Sequence, residues 1–96
     1  MSTPEKKVKT KVRAELMRRN IYHFMPATGG YGRSGVPDIV GCYRGVFFAI
    51  ETKAGDNKTT ALQERELKQI REAGGMACVI NENNLDDLIA WFDAAQ

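Results

Sequence analysis

The chain of 96 residues contains few of the cysteines and histidines that zinc-type metal sites and disulfide-rich proteins require. There are two cysteines and one histidine, and Cys42 and Cys78 do not stand at the spacing of metal ligands. Both cysteines fall on predicted strands, so we interpret them as reduced core residues, with a disulfide between them as the alternative. A lone histidine on a strand is more often packed or exposed than a ligand, so His23 is left out of the candidate site.

Long apolar runs, internal repeats and low-complexity segments are also missing. No stretch approaches the length that spans a membrane, and no apolar core follows the polar, basic N-terminus. We therefore expect no signal peptide and a cytoplasmic location. A hydrophobic content of 43% and a charged content of 27% are those of an ordinary globular protein, and the length suits one domain over residues 1–96.

Acidic residues are scarce in the first half of the chain. Residues 1–48 carry nine Lys and Arg against three Asp and Glu, a balance of +6, whereas residues 49–96 carry five against nine, a balance of −4. This asymmetry predicts one basic side, which can bind a phosphate backbone through counterion release. A solvated basic helix explains the same charges without any ligand.

A helix and a short strand are predicted at the start. Thr3 suits the cap and Pro4 the first helical position, where its missing N–H costs nothing. Apolar residues at intervals of four predict the buried stripe: Val8, Val12 and Leu16. Residues 21–25 alternate as in a strand, which Pro26 ends.

A hairpin is predicted over the middle of the chain. Residues 38–43 and 46–50 have the pattern of strands, and Arg44-Gly45 suits the turn that joins them. Asp38 and Glu51 then lie at the same end of neighbouring strands. Two carboxylates in one place repel each other unless a cation lies between them, and oxygen ligands suit Mg²⁺ or Mn²⁺. Because side chains alternate along a strand, Glu51 and Lys53 point to one side, about 7 Å apart, and Thr52 to the other.

The sequence patterns in the last third of the chain predict a helix, a strand and a second helix. Thr60 begins the first of these helices and Gly74-Gly75 ends it. Its predicted inward face is Leu62, Leu67, Ile70 and Ala73. Residues 76–80 form a strand that a right-handed crossover places parallel to the strand ending at Glu51. Asn84 caps a final amphipathic helix. Its inward residues are Leu85, Leu88, Ile89 and Phe92.

Pro37-Asp38, followed by Glu51-x-Lys53 after an apolar strand, resembles the PD-(D/E)xK nuclease signature. The match extends to the VRR-NUC branch, which includes stand-alone phage-type nucleases. It rests on Gly32-Arg-Ser-Gly-Val-Pro-Asp38, Glu51-Thr-Lys-Ala-Gly and Gln63. Taken singly these motifs are weak, since a Glu-x-Lys tripeptide occurs by chance in roughly one chain in three of this length. Their order carries the resemblance, which covers nearly the whole chain.

The resemblance implies a fold and a metal centre. The fold is a restriction-endonuclease-like α-β-β-β-α-β core, with a mixed four-stranded sheet flanked by helices, plus a C-terminal helix. The cofactor is Mg²⁺ or Mn²⁺, with Asp38 and Glu51 as ligands and the backbone carbonyl of Thr52 as a third. Lys53 orients and helps deprotonate the attacking water, or stabilises the developing charge.

Two further site residues rest on the resemblance and have structural alternatives. Glu5 is the candidate for an additional acidic residue of the metal site, but an acid in the first turn also stabilises a helix, and Ser2-x-x-Glu5 can form a capping box. Glu15 is the reserve candidate, otherwise a solvent-exposed partner of the neighbouring basic residues. Gln63 is expected near the reacting phosphate or its water, although Thr60-x-x-Gln63 also has a capping-box pattern.

A glycine-rich loop over residues 26–36 leads into Asp38 and is expected to contact DNA, although a plain connection is the alternative. Arg33 suits phosphate binding and Tyr31 base stacking. The remaining nucleic-acid-binding candidates are Ser34, Lys6 and Lys9.

These features predict a metal-dependent, structure-selective DNA endonuclease. Stand-alone relatives of this kind are implicated in cutting branched DNA such as four-way (Holliday) junctions, and two-fold junctions suit a homodimer, in a bacterial or phage-infected cell. Its interface is expected on the last helix or in the glycine-rich loop region. Two alternatives are a non-catalytic or partner-dependent nucleic-acid-binding module with the same fold, and a small interaction protein in which Asp38, Glu51 and Lys53 only pair with one another.

Overall fold

The computed structural model describes residues 2–27 and 32–95, which form three helices and four strands. In chain order these are α1 (Pro4–Arg18), β1 (Tyr22–Phe24), β2 (Ile39–Tyr43), β3 (Val46–Thr52), α2 (Ala61–Glu72), β4 (Met76–Ile80) and α3 (Leu85–Ala94). This order confirms the predicted α-β-β-β-α-β core with an added C-terminal helix. Among the described helices, none is long and apolar enough to cross a membrane.

The four strands form one mixed sheet in the order β1-β2-β3-β4. β1 and β3 each pair antiparallel with β2, and β3 pairs parallel with β4. The parallel pair follows from α2, which carries the chain back across the sheet before β4 begins. The sheet topology is therefore the predicted one.

Helices cover both faces of the sheet. On one face α1 and α3 pack over a buried core. Its members are Val8, Val12, Leu16, Ile21, Ile39, Phe48, Ile50, Ile80, Leu88 and Phe92. On the other face α2 contributes Leu67 to a smaller cluster. The rest of that cluster is Val40, Ala49 and Ala77. The alternation of β3 residues between the two clusters fixes its register, since a slip by one residue would exchange its faces.

The turn between β2 and β3 brings the charged residues of the hairpin together. Arg44 and Gly45 have positive φ values of 50° and 84°, as a two-residue turn between antiparallel strands requires. The resulting register pairs Tyr43 with Val46 near the turn and Ile39 with Ile50 at the open end.

The predicted inward face of α2 is partly wrong. Leu67 is buried as expected, but Leu62 is 44% exposed and Ala73 is exposed as well. Leu62 lies in the first turn of the helix against the loop at Gly35, and Ala73 lies at its C-cap. Glu66 is buried instead, which a hydrophobic pattern cannot predict.

Two further expectations, for Cys42 and Asn84, need correction. Both thiols are free in the described residues, but Cys42 is exposed, so the prediction that it is a core residue is wrong. It pairs in register with Phe47, whose side chain is also exposed, where α2 does not cover the sheet. Asn84 is at the N-cap of α3 as predicted, yet its side chain binds Asn81 and Val79 rather than capping the helix.

Candidate metal centre

Asp38 and Glu51 lie at the open end of the β2–β3 hairpin. They stand one position beyond the Ile39–Ile50 pair, on neighbouring strands. Glu51 is 2% exposed, whereas the Asp38 side chain is 25% exposed. The hairpin therefore brings one buried and one accessible carboxylate to the same place.

The Asp38 carboxylate is oriented by Thr52. Its Oδ2 accepts hydrogen bonds from the Thr52 backbone N–H at 2.9 Å and from the Thr52 hydroxyl at 2.7 Å. Thr52 is fully buried, so this anchor is held by the core. The other oxygen, Oδ1, lies 3.7 Å from Lys9 Nζ of α1. With Oδ2 held by two donors, Oδ1 remains for a cation.

The Glu51 carboxylate is buried and incompletely paired. Its Oε2 lies 3.6 Å from Lys53 Nζ, while Oε1 is buried without a hydrogen-bond partner in the described part of the chain, and we call Oε1 the orphan oxygen. Burial raises the pKa of Glu51 to about 7, and the charge of Asp38 adds to this rise. Lys53 and a hydrogen bond with the Asp38 backbone act in the opposite direction.

A carboxylate that binds a metal ion is expected to have such an orphan oxygen when no ion is bound. A buried carboxylate oxygen without a donor is costly, and a divalent cation between Asp38 and Glu51 would remove that cost. Across residues 2–27 and 32–95, no three His, Cys, Asp or Glu side chains form a group that could hold a metal ion. The two carboxylates therefore fit Mg²⁺ or Mn²⁺ if main-chain oxygens and water supply the other ligands.

Glu5 and Glu15 occupy opposite ends of α1. Burial and the charge of Asp38 are larger causes of the raised pKa of Glu51, and half-buried Glu5 adds a contribution of the same sign. Glu15 instead pairs with two arginines, and hydrogen bonds from Arg18 and Arg19 lower its pKa to about 2. Its interpretation as a partner of basic neighbours is confirmed, but its side chain is only 14% exposed, so the expectation that it is solvent-exposed is wrong.

Gln63 caps its own helix. The Thr60 hydroxyl accepts from the Gln63 backbone N–H at 3.2 Å, and Gln63 Oε1 accepts from the Thr60 N–H at 2.9 Å. This reciprocal pair confirms the capping-box alternative. A role of Gln63 at the phosphate stays a prediction.

Arg33 links the described segment that precedes Asp38 to α2. Its Nε and Nη2 donate to the two oxygens of Glu66 at 3.1 and 2.7 Å, and Nη2 also donates to Gln69. Glu66 is nearly buried, whereas the Arg33 side chain is 66% exposed. The sequence pointed to Arg33 as a phosphate ligand and did not reveal Glu66 as its partner. Phosphate binding by Arg33 stays a prediction.

The other nucleic-acid candidates lie on the surface or outside the described residues. Lys6 and Ser34 are exposed. Tyr31 lies outside the described residues. Lys9 is the candidate that contacts the centre directly, through Asp38.

Gly35 positions the segment that leads into Asp38. Its φ of +79° is unfavourable for other residues, and an added Cβ would lie 2.7 Å from the backbone of Leu62. Gly35 therefore packs directly on the first turn of α2. A side chain at this position would displace the segment that carries Asp38.

Similarity to known proteins lies in the three-dimensional structure. No protein-family model matches the sequence, and a search of curated proteins finds no match. A solved VRR_NUC domain protein superposes with a TM-score of 0.74 at 19% identity, over 96% of this chain and 89% of its own. A solved VRR_NUC domain gives 0.73 at 26% identity, over 93% and 97%. Hjc of Archaeoglobus fulgidus, a Holliday junction resolvase from an archaeal hyperthermophile, gives 0.58 at 23%, over 77% and 64%.

The element order, the mixed sheet and the acidic end of the hairpin define a restriction-endonuclease-like fold. Among proteins of this class, the superpositions identify a VRR-NUC nuclease-like fold, as the sequence resemblance implied. The phage-type assignment stays a prediction.

Proposed function

We propose that this chain is a metal-dependent DNA endonuclease that hydrolyses phosphodiester bonds. The observation that carries the proposal is the orphan oxygen of Glu51 beside the partly exposed Asp38. A structural ion pair would satisfy both oxygens of a buried carboxylate, whereas a cation site needs one of them available.

Asp38 and Glu51 act as metal ligands in this proposal, with the Thr52 carbonyl as a third. Glu5 does not form a three-acid group with them in the described part of the chain, so its place as an additional acidic residue of the site stays a prediction. A bound Mg²⁺ or Mn²⁺ supplies positive charge to the phosphate and acidifies a neighbouring water. The chain keeps Asp38 in one orientation through the two Thr52 donors, so less order has to be gained when an ion binds.

Lys53 supplies a fixed positive charge beside the reacting phosphate. Its Nζ lies 3.6 Å from Glu51 Oε2 and its side chain is only 13% exposed, so the ammonium is held at the centre. It either stabilises negative charge that develops on the phosphate or orients the attacking water. A guanidinium is planar and larger, so arginine is not an equivalent replacement.

Branched DNA such as a four-way junction is the proposed substrate. Support comes from the basic residues of α1, including Lys6 and Lys9, on the helix that contacts the centre. Hjc, which shares the fold, is described as a Holliday junction resolvase. Contacts from lysines to phosphates select the shape and charge of DNA rather than its base sequence.

A homodimer is proposed because two linked sites can make paired cuts in a junction. Four exposed side chains of the β1–β2–β3 face support it, and we propose the interface on this face instead of on the last helix or in the glycine-rich loop region. We call them the sheet patch: Tyr22, Phe24, Cys42 and Phe47. Tyr22 is 70% exposed, and β1 is an edge strand. Contiguous apolar groups of this kind mark interaction surfaces.

Sedimentation tests the dimer. Tyr22→Lys should shift the protein towards monomer. Met17→Lys should not, because Met17 is an exposed apolar residue that lies on α1, outside the sheet patch. Wild-type protein that is monomeric at the concentration used for cleavage would contradict the dimer.

The nuclease is tested with labelled four-way junction, flap and linear duplex DNA, each with Mg²⁺, Mn²⁺ or EDTA. Metal-dependent cutting should be lost in Asp38→Asn and Lys53→Ala. It should remain in Asp87→Asn, which removes an exposed carboxylate from the first turn of α3. Circular dichroism establishes that each variant is folded.

DNA binding without cleavage under every metal condition would contradict the proposed endonuclease activity and favour the non-catalytic or partner-dependent module. That module binds DNA with steep salt dependence, and Asp38→Asn affects it only through charge. A preference for the junction over the linear duplex supports the substrate assignment, and equal cutting of all three DNAs contradicts it.

A further inference from the structure

Each carboxylate of the centre is paired with a lysine of the chain. Lys53 Nζ lies 3.6 Å from Glu51, and Lys9 Nζ lies 3.7 Å from Asp38. Lys53 belongs to the nuclease motif. Lys9 comes from the middle of α1, and the motif does not require it.

The hydrogen bonds of Asp38 decide which oxygen Lys9 can use. The Thr52 backbone and hydroxyl donate to Oδ2 at 2.9 and 2.7 Å, and Lys9 lies next to Oδ1. A metal ion held by Asp38 and the orphan oxygen of Glu51 would need the same Oδ1. The Lys9 ammonium and the metal ion would therefore both need the same acceptor, Oδ1 of Asp38.

The Lys9 contact is of a kind that a divalent ion can displace. At 3.7 Å it is an ion pair longer than a hydrogen bond, and the Lys9 side chain is 30% exposed. Exposed or half-exposed pairs of this kind contribute little to stability, and solvent offers the ammonium an alternative position. A dication at Oδ1 would also repel the ammonium.

We infer that Lys9 competes with the metal ion for Oδ1 of Asp38 and so lowers the metal affinity of the centre. This inference rests on the proposed function, since it needs Asp38 and Glu51 to be metal ligands. When the ion binds, the Lys9 ammonium leaves Oδ1 and becomes available to a phosphate of the DNA.

Calorimetric titration with Mn²⁺ in the absence of DNA tests the inference. Lys9→Met is compared with Lys7→Met, which removes the same charge from an exposed neighbour on α1. We expect Lys9→Met to bind Mn²⁺ roughly three- to tenfold more tightly than Lys7→Met, from loss of a partly exposed ion pair. Equal or weaker binding by Lys9→Met would overturn it. Thermal unfolding shows whether both variants are folded.

A second readout follows the lysine itself. In protein with isotope-labelled lysines, Mg²⁺ should shift the side-chain ammonium signal of Lys9 and leave that of Lys7 unchanged. No shift of Lys9 at saturating Mg²⁺ would overturn the displacement. Wild-type protein that binds no Mn²⁺ would contradict the proposed function itself, whereas Mn²⁺ binding that Lys9→Met does not strengthen contradicts the role of Lys9 alone.

Discussion

The two ends of α1 both bring acidic and basic side chains together, but they balance charge in opposite ways. At the C-terminal end, Arg18 and Arg19 donate to Glu15, and Arg19 also reaches Asp93 of α3 at 2.8 Å. These hydrogen bonds lower the pKa of Glu15 to about 2. At the N-terminal half, burial and the charge of Asp38 raise the pKa of Glu51 to about 7.

The difference lies in the donors and in burial. A guanidinium offers several N–H groups in a plane, so two arginines satisfy the Glu15 carboxylate, whose side chain is 14% exposed. At the candidate metal centre two ammonium groups stand 3.6 and 3.7 Å from the carboxylates, and the orphan oxygen of Glu51 is buried. The first cluster holds α1 to α3, whereas the second retains unsatisfied charge that a cation can use.

The largest expected effect is on the cleavage rate, which should depend on the Asp38–Glu51 cluster and not on the Glu15 cluster. Asp38→Asn and Glu51→Gln should each lower the metal-dependent cleavage rate by about 100-fold or more, because each removes a charge that holds the metal. Glu15→Gln should leave the rate within about twofold. Initial rates on a four-way junction at saturating Mg²⁺ measure this. A comparable loss in Glu15→Gln would remove the distinction between the clusters.

A Lys53 variant should separate metal binding from cleavage chemistry at the candidate metal centre. Lys53→Ala should lower the cleavage rate by roughly 100-fold while Mn²⁺ binds at least as tightly as in wild type, since a neighbouring positive charge is lost. Single-turnover rates and calorimetric titration with Mn²⁺ give the two quantities. Much weaker Mn²⁺ binding in Lys53→Ala would show that Lys53 organises the ligands instead.

The pH dependence of stability should have opposite signs at Glu51 and Glu15. The pKa of Glu51 is about 7 in the fold against an ordinary 4.5, so the folded state binds more protons between these values. The free energy of unfolding therefore falls as pH rises from 4.5 to about 7, by about 3 kcal/mol from this group. For Glu15, whose pKa is about 2, stability is instead lost as pH falls from 4.5 towards 2.

Denaturant unfolding in EDTA across this pH range checks both signs. Relative to wild type, Glu51→Gln should become more stable as pH rises from 4.5 to about 7, and adding Mg²⁺ at higher pH should reduce its advantage. Glu15→Gln should differ most from wild type above pH 4.5. A constant difference between wild type and Glu51→Gln from pH 4.5 to 7 would contradict the raised pKa.

The smallest effect is expected from the arginines of the C-terminal cluster. Arg19→Met should lower Tm by roughly 2–5 °C, because it breaks the contacts to Glu15 and Asp93. The Mn²⁺ affinity should not change. Arg18→Met is the matched control, and since Arg18 is 64% exposed its effect should be smaller. Calorimetric unfolding measures both, and an equal loss in the two variants would contradict the importance of Asp93.

Local pattern predicted most of the fold because its signals act over short distances. The Arg44-Gly45 turn, the Thr60 cap and the stripe of α1 each depend on neighbours within a few residues. Cys42 and Leu62 were wrongly predicted to be buried, because their exposure depends on how far α2 extends over the sheet and on where the loop at Gly35 lies. Those positions are set by contacts distant in sequence.

By itself the sequence determined that a carboxylate would stand at the end of each hairpin strand, since alternation and turn length fix the register of β2 and β3. Only the tertiary structure decided how those carboxylates are held. Lys9 is 29 positions from Asp38 and Arg33 is 33 from Glu66, and the hydroxyl of Thr52 reaches the side chain of Asp38 across the strands. Burial of the orphan oxygen of Glu51 results from the packing of the fold around the sheet, which no local spacing encodes.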